Sequence, residues 1–208
     1  MELSAHDSVA ILTFPADPGY PRLTRELIAK IRHLLDEVRL ADLFRGVVIA
    51  ANESSFATGA AVEELERLEG YPAREFAQMG QALGDHIQRF PLPVVAAIRG
   101  YCLGGGLDLA LACHARVAAY DSSFGHPGTS LGLITGWGGT QRLPRLLGKS
   151  GALQLLLTAE RVPATQALSL GLVDELAPSE DLIGVAARRA ERMSEFNVES
   201  RVLEPRRP

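Results

Sequence analysis

A glycine triplet followed by a single acidic residue is the part of this sequence best suited to chemistry. The triplet, residues 104–106, follows an apolar run at residues 94–98, and Asp108 is the only charged residue within residues 101–113. Glycines allow a backbone to approach a ligand closely, and the free amides at the start of a helix attract negative charge. The pattern predicts a site for an oxyanion at this turn.

Asp108 has two interpretations. The helix that it opens is otherwise apolar, and a helix that is apolar on all sides is normally buried. A buried acid is costly unless something pairs with it, which favours a role in a reaction. Alternatively, the carboxylate only caps the helix, because acidic residues stabilise a first turn.

Other motifs lack the context that their chemistry needs. Residues 128–132 match the G-x-S-x-G pattern around Ser130, but all five histidines precede this serine, whereas the hydrolase order places the histidine after it. Residues 148–150 resemble only the end of a P-loop, because Leu143 replaces the glycine that begins that motif. His114 and His126 have no companion at ligand spacing, so we predict structural roles for them and no metal site.

Alternating strand and helix signals predict the elements that position these residues. Short apolar runs at residues 9–14, 46–50 and 94–98 are typical of buried strands. Apolar residues at helical spacing predict helices over residues 27–38 and 76–87, another near residues 63–68, and a last one over residues 182–193. The alternation of strands and helices indicates an α/β fold.

Composition narrows the classes of function. The 208 residues are 47% hydrophobic and 22% charged, which is typical of a globular domain with a substantial core. A net charge of -4 gives no reason to expect a nucleic-acid partner. Cys102 and Cys113 lie in apolar surroundings, so no disulfide framework is predicted. Because no signal peptide or membrane-spanning run is recognisable, we expect a cytoplasmic protein with no membrane partner.

Four stretches of the sequence resemble the enoyl-CoA hydratase/isomerase (crotonase) superfamily. Residues 100–110, which read GYCLGGGLDLA, resemble its central signature, and residues 56–60, which read FATGA, resemble its first oxyanion loop. Residues 138–143, GGTQRL, and a stretch within residues 157–174 are similar to its downstream elements. The motifs follow the family's order over roughly residues 8–177. This resemblance implies a crotonase-like ββα spiral, here with a shortened C-terminal helical region.

The resemblance also implies how a substrate, an acyl-CoA thioester, is bound. The backbone amides of Ala60 and Gly105 occupy the positions that hold the thioester oxygen while it gains enolate charge. Further residues expected to contact the substrate surround these loops: Ala57, Gly104, Gly128, Ser130, Gly136 and Trp137. No cofactor is implied apart from the coenzyme A of the substrate, and members of the family imply a homotrimer or hexamer.

The sequence departs from the family pattern at its carboxylates. Asp108 stands where hydratases have the first of two glutamates and is shorter by one methylene group. Gly128 follows His126 and Pro127, where the second glutamate is expected, and glycine has no proton to give. Asp108 is therefore the predicted catalytic residue, provided that burial raises its pKa toward neutrality. Hydroxyls near Gly128, including that of Thr135, can bind water but are poor acids.

The C-terminal region is short for the family. We predict an acyl-CoA-binding core over residues 1–177, followed by one helix and a polar tail over residues 178–208. The predicted helix carries Arg188, Arg189 and Arg192. These arginines either meet the phosphates of coenzyme A or form an ordinary solvated helix face, and the second interpretation is favoured.

The sequence thus predicts an enzyme that binds an acyl-CoA and stabilises its enolate, with enoyl-CoA hydration as the expected reaction. One alternative is an isomerase or decarboxylase that uses a single carboxylate. The other is an acyl-CoA-binding protein without catalysis. The absence of a glutamate at Gly128 favours both alternatives, whereas the acid at Asp108 favours an enzyme.

Overall fold

The computed structural model describes residues 1–16, 19–61, 65–66 and 68–195, and this part of the chain forms nine strands, six α-helices and one short 3₁₀ helix, Pro127–Leu131. The strands are β1 (Glu2–His6), β2 (Val9–Thr13), β3 (Gly46–Ala50), β4 (Val94–Ile98), β5 (Tyr101–Leu103), β6 (Ala115–Ala119), β7 (Ser123–Gly125), β8 (Val162–Pro163) and β9 (Glu175–Ala177). The helices are α1 (Arg25–Ala41), α2 (Gly70–Gln88), α3 (Gly105–Ala112), α4 (Gly139–Leu157), α5 (Ala164–Leu170) and α6 (Leu182–Ser194).

Two sheets share these strands, and the chain moves between them in a regular way. The larger sheet has the order β1-β2-β3-β4-β6-β9, with every pair parallel except β1 and β2. The smaller sheet has the order β5-β7-β8. Strand β4 of the larger sheet leads to β5 of the smaller sheet and then to α3, while β6 leads in the same way to β7. This ββα repeat confirms the predicted fold class.

The larger sheet is covered on both faces. Strands β3, β4 and β6 are buried at every residue, which explains why β3 and β4 are continuous apolar runs instead of alternating ones. One face packs in a core cluster with α1, α2 and α3, and the other packs on α6. Contact with α6 is close, because a side chain on Gly46 would lie 2.8 Å from the Cβ atom of Ala190.

Predicted and observed elements agree closely where the chain is described. Strand β2 ends at Thr13, and the amide of the next residue, Phe14, still donates to Ala50 across the sheet. The last helix, predicted over residues 182–193, extends to Ser194. Residues 62–64 and 67 of the predicted helix near residues 63–68, and the tail from residue 196 onward, lie outside the described residues. A domain boundary at residue 177 falls directly after β9 and stays a prediction.

Two of the three arginines of α6, Arg189 and Arg192, take part in ion pairs with acidic residues of the same chain. Arg189 lies 3.1 Å from Glu175 and 3.8 Å from Asp174, and Arg192 lies 3.6 Å from Glu175. These contacts suit a solvated helix face, the interpretation favoured from the sequence. Among the described residues, no helix combines the length and the apolar character needed to cross a membrane.

Candidate active site

Two glycines of the triplet, Gly104 and Gly105, line a cavity of about 430 Å³ together with Asp108. This volume lies in the range of small-molecule sites. Most of the residues predicted to contact the substrate line it: Ala60, Gly104, Gly105, Asp108, Gly128, Gly136 and Trp137. An apolar wall completes the cavity, formed by Leu65, Leu68, Phe76, Ala77, Leu131, Leu133, Ile134 and Leu156. The arrangement suits a ligand with an apolar chain and a polar group at the glycine end.

Two glycine turns bring the predicted oxyanion loops into contact. Gly59 has a φ of +94°, and a Cβ atom added there would lie 3.0 Å from the backbone nitrogen of Gly105. Gly104 has a φ of +53°, and α3 begins at the next residue. The amide of Gly105 therefore belongs to the first turn, where backbone N–H groups have no acceptor within their own helix. The loops place Ala60 and Gly105 on the wall of one cavity.

Asp108 is buried in the first turn of α3, where its amide donates to the carbonyl of Gly104. Burial raises the pKa of the carboxyl from 3.8 to about 6, because a charge is hard to solvate in the protein interior. The hydroxyl of Thr135 donates to the carboxylate and partly offsets this effect, as do the nearby amides of Trp137 and Gly139. The carboxylate therefore titrates close to neutrality, as the sequence-based prediction required.

His126 faces Asp108 across the same cavity. Its Nε2 atom lies 3.6 Å from Oδ1 of Asp108, and both residues line the cavity. Burial lowers the pKa of His126 to about 4, so the imidazole is neutral where Asp108 is ionised. Within the described part of the chain, neither Nε2 of His126 nor Oδ1 of Asp108 has a hydrogen-bond partner. Two buried polar atoms therefore face each other without a direct bond.

Trp137 closes the cavity between α2 and α3. Its indole ring is buried, lies edge-on to Phe76 with ring centroids 5.2 Å apart, and packs on two glycines. A Cβ atom on Gly80 of α2 would lie 2.3 Å from the indole, and one on Gly105 would lie 2.7 Å from it. Both glycines therefore make room for the indole, which occupies space that a smaller side chain would leave to a ligand.

The loop that carries Thr135 and Trp137 is held by two polar side chains. Gln81 of α2 donates to the carbonyl of Gly136 at 2.7 Å. The buried Arg142 donates to the carbonyl of Trp137 at 3.1 Å. These bonds orient a segment that has no regular structure of its own between Gly132 and Gly138. The cavity is therefore shaped by a loop that two hydrogen bonds attach to its surroundings.

Two predicted substrate contacts lie elsewhere. Ala57 is fully buried behind the glycine triplet, where its carbonyl would lie 2.2 Å from a Cβ atom on Gly106, and it is not among the cavity-lining residues. Ser130 is exposed, and its hydroxyl donates to the carbonyl of Pro127 at 2.6 Å. Gly128 lines the cavity, but its neighbour Leu133 would contact any side chain placed there, with a Cβ atom 3.2 Å from the Leu133 carbonyl.

His126 is the main residue at this site that sequence reasoning set aside. It was predicted to be structural because no metal-ligand companion lies nearby in the sequence. Its position next to Pro127 and Gly128, where the family pattern has a catalytic carboxylate, was a signal that it faces the same cavity. The described residues contain no group of three or more His, Cys, Asp or Glu side chains that could hold a metal ion.

Known proteins share both the sequence pattern and this architecture. The model of the enoyl-CoA hydratase/isomerase family matches residues 5–203. DspI from Pseudomonas aeruginosa is 29% identical, with 96% of this chain and 82% of DspI covered at a TM-score of 0.87. An enoyl-CoA hydratase from Bacillus anthracis is 31% identical, with 95% and 77% covered and a TM-score of 0.87. One from Thermoplasma volcanium is 25% identical, with 96% and 79% covered and a TM-score of 0.88. This chain therefore belongs to the enoyl-CoA hydratase/isomerase family.

Proposed function

We propose that this protein binds acyl-CoA thioesters, stabilises their enolates, and hydrates 2-enoyl-CoA substrates. One observation supports the proposal most strongly: a single cavity is lined by Ala60, by Gly105 at the start of a helix, and by the buried Asp108. In the proposal, the two backbone amides hold the oxyanion and the neighbouring carboxylate moves the proton.

In the proposed reaction the amides of Ala60 and Gly105 donate to the thioester oxygen. Charge develops on that oxygen as the enolate forms, and prearranged donors stabilise it by on the order of 3 kcal/mol each. The N-terminus of α3 adds the favourable end of the helix dipole at the same point. Neither residue needs a particular side chain for this role, which agrees with the small residues found at both positions.

Asp108 is the proposed acid–base group. It accepts a proton from water as the water oxygen bonds to the β-carbon, and the electrons of the carbon–carbon double bond pass to the thioester oxygen. The same proton then returns to the α-carbon as the enolate collapses. Because the pKa of Asp108 is raised to about 6, it is mostly ionised at neutral pH yet is a stronger base than an ordinary aspartate.

The apolar wall is the proposed acyl-chain site. Phe76, Leu133 and Ile134 line the cavity, and in this proposal Trp137 limits the depth of the acyl-chain site. Apolar lining with a few polar groups is typical of small-molecule sites. No cofactor is needed for the proposed reaction. A homotrimeric or hexameric assembly is proposed from the family alone, and the cytoplasmic location stays the expectation stated from the sequence.

Isomerisation of 3-enoyl-CoA is the second candidate, and the glycine at position 128 favours it. Moving a double bond needs one group to take a proton from one carbon and return it to another, so a single carboxylate is sufficient. Hydration also needs a positioned water. Turnover of 3-pentenoyl-CoA without hydration of crotonyl-CoA would select isomerisation.

Calorimetry with matched ligands tests the proposed function. Butyryl-CoA and acetoacetyl-CoA should bind, butyrate should not, and coenzyme A alone should bind more weakly than its thioesters. Crotonyl-CoA should be converted to 3-hydroxybutyryl-CoA. Failure of both thioesters to bind at millimolar concentration would remove the basis for a working oxyanion site at Ala60 and Gly105.

A further inference from the structure

His126 and Asp108 present two buried polar atoms to the cavity, at a separation that one oxygen atom beside them can bridge. Their Nε2 and Oδ1 atoms are 3.6 Å apart, which is longer than a hydrogen bond. An oxygen atom beside the pair can lie about 2.8 Å from each of them, the usual hydrogen-bond distance. Both side chains are more than nine-tenths buried and line the cavity, and both atoms are unpartnered among the described residues.

The surroundings keep this pair in place. A Cβ atom on Gly139 would lie 2.3 Å from Oδ1 of Asp108 and 3.1 Å from Nε2 of His126, so only glycine fits behind the two side chains. Thr135 donates to the other carboxylate oxygen of Asp108 and leaves Oδ1 directed at His126. Pro127, directly after His126, restricts the backbone that carries the imidazole.

We infer that His126 and Asp108 together bind the oxygen of the reacting water, so that His126 supplies the second polar contact that Gly128 cannot. This inference rests on the proposed hydration of 2-enoyl-CoA. Neutral imidazole can accept a hydrogen bond from the water or donate one to it, and ionised Asp108 accepts the proton that the water loses. His126 orients the water oxygen toward the β-carbon and exchanges no proton in the balanced reaction described above.

The inference separates two reactions of the same active site. Hydration needs a water oriented toward the β-carbon, whereas exchange of the α-protons of butyryl-CoA needs Asp108, the two amides and any deuterium oxide molecule that exchanges the proton held by Asp108. Replacing His126 with leucine should therefore lower crotonyl-CoA hydration by about 100-fold, the typical cost of misplacing a reacting group. The same variant should keep α-proton exchange and butyryl-CoA binding close to the wild-type values, because neither needs a water oriented toward the β-carbon.

The experiment compares His126→Leu and His126→Gln with wild type for hydration, exchange, binding and folding. His126→Gln should recover much of the hydration rate, because its amide can hold water without titrating. His33→Leu, at an exposed site on α1, is the matched histidine control and should leave all four properties unchanged. Unchanged hydration in folded His126→Leu, or an equal loss of hydration and exchange, would overturn the inference. Absence of binding, exchange and hydration in wild type would instead reject the proposed function and remove the inference with it.

Discussion

Replacing Asp108 with asparagine should make the protein more stable at neutral pH while it removes turnover. The folded protein raises the pKa of this carboxyl from 3.8 to about 6. At about 1.4 kcal/mol for each tenfold change in proton affinity, the ionised carboxylate destabilises the fold by up to about 3 kcal/mol. Asparagine has nearly the same shape and carries no charge, so the variant avoids this cost.

The sign of the pH dependence follows from the direction of the shift. Because the folded protein binds this proton more tightly than the unfolded chain, the favourable contribution of Asp108 is fully present below about pH 4 and is lost as the pH rises through about 6. The Asp108→Asn variant lacks this loss. Its advantage in free energy of unfolding should therefore be small near pH 4 and reach up to about 3 kcal/mol at pH 8.

Urea unfolding of both proteins at several pH values between 4 and 8, followed by circular dichroism, measures this difference directly. Comparing the two proteins at each pH cancels the titration of all other groups. Asp121→Asn is the matched control, because this carboxylate is exposed and its removal relieves no buried charge. An Asp108→Asn variant that is no more stable than wild type at pH 8 would refute this reasoning, and so would a difference in stability that does not change with pH. Either result would mean that burial does not raise the pKa of Asp108.

Three further variants test the other parts of the cavity. Gly105→Pro deletes one proposed oxyanion donor and is made in a Trp137→Ala background, because the indole would otherwise crowd the proline ring. The double variant should hydrate crotonyl-CoA about 100-fold to 1,000-fold more slowly than Trp137→Ala alone. Equal rates would mean that the donor is elsewhere. Trp137→Ala should raise kcat/KM for octenoyl-CoA relative to crotonyl-CoA by about tenfold, because it deepens the acyl site; an unchanged ratio in the folded variant would contradict this. Gly128→Glu should raise hydration when Asp108 is intact and do little in Asp108→Asn, since groups that act as a unit are not additive; equal gains in both backgrounds would exclude a shared water.

The strands and helices of the core were predictable because their burial follows directly from their sequence. Strand β3 is an uninterrupted apolar run, and the apolar stripe of α1 reappears as its buried face. Strand β1 could not be predicted in this way. All five of its residues are exposed, and it forms by pairing antiparallel with β2 at the edge of the sheet.

Sequence motifs predicted the parts of the candidate site that the backbone of the glycine loops forms. They did not predict the contacts that arise when side chains from different elements pack together. The positions of Ala60, Gly105 and Asp108 follow from motifs that resemble the family, and the structure brings all three to one cavity. The proximity of His126 to Asp108 depends on packing, because the end of β7, which leads to His126, lies next to the first turn of α3. The position of the Trp137 indole depends on Gly80 of α2, which is distant in the sequence but in contact in the fold. Neither contact leaves a local pattern in the sequence.

The most direct test of enolate stabilisation is the exchange of the α-protons of butyryl-CoA in deuterium oxide, followed by mass spectrometry. This substrate cannot be hydrated, so deuterium enters only through an enolate formed in the site. Wild type should incorporate deuterium and Asp108→Asn should lose most of this exchange while it still binds butyryl-CoA. A wild-type protein that binds butyryl-CoA and incorporates no deuterium would contradict enolate stabilisation in this cavity.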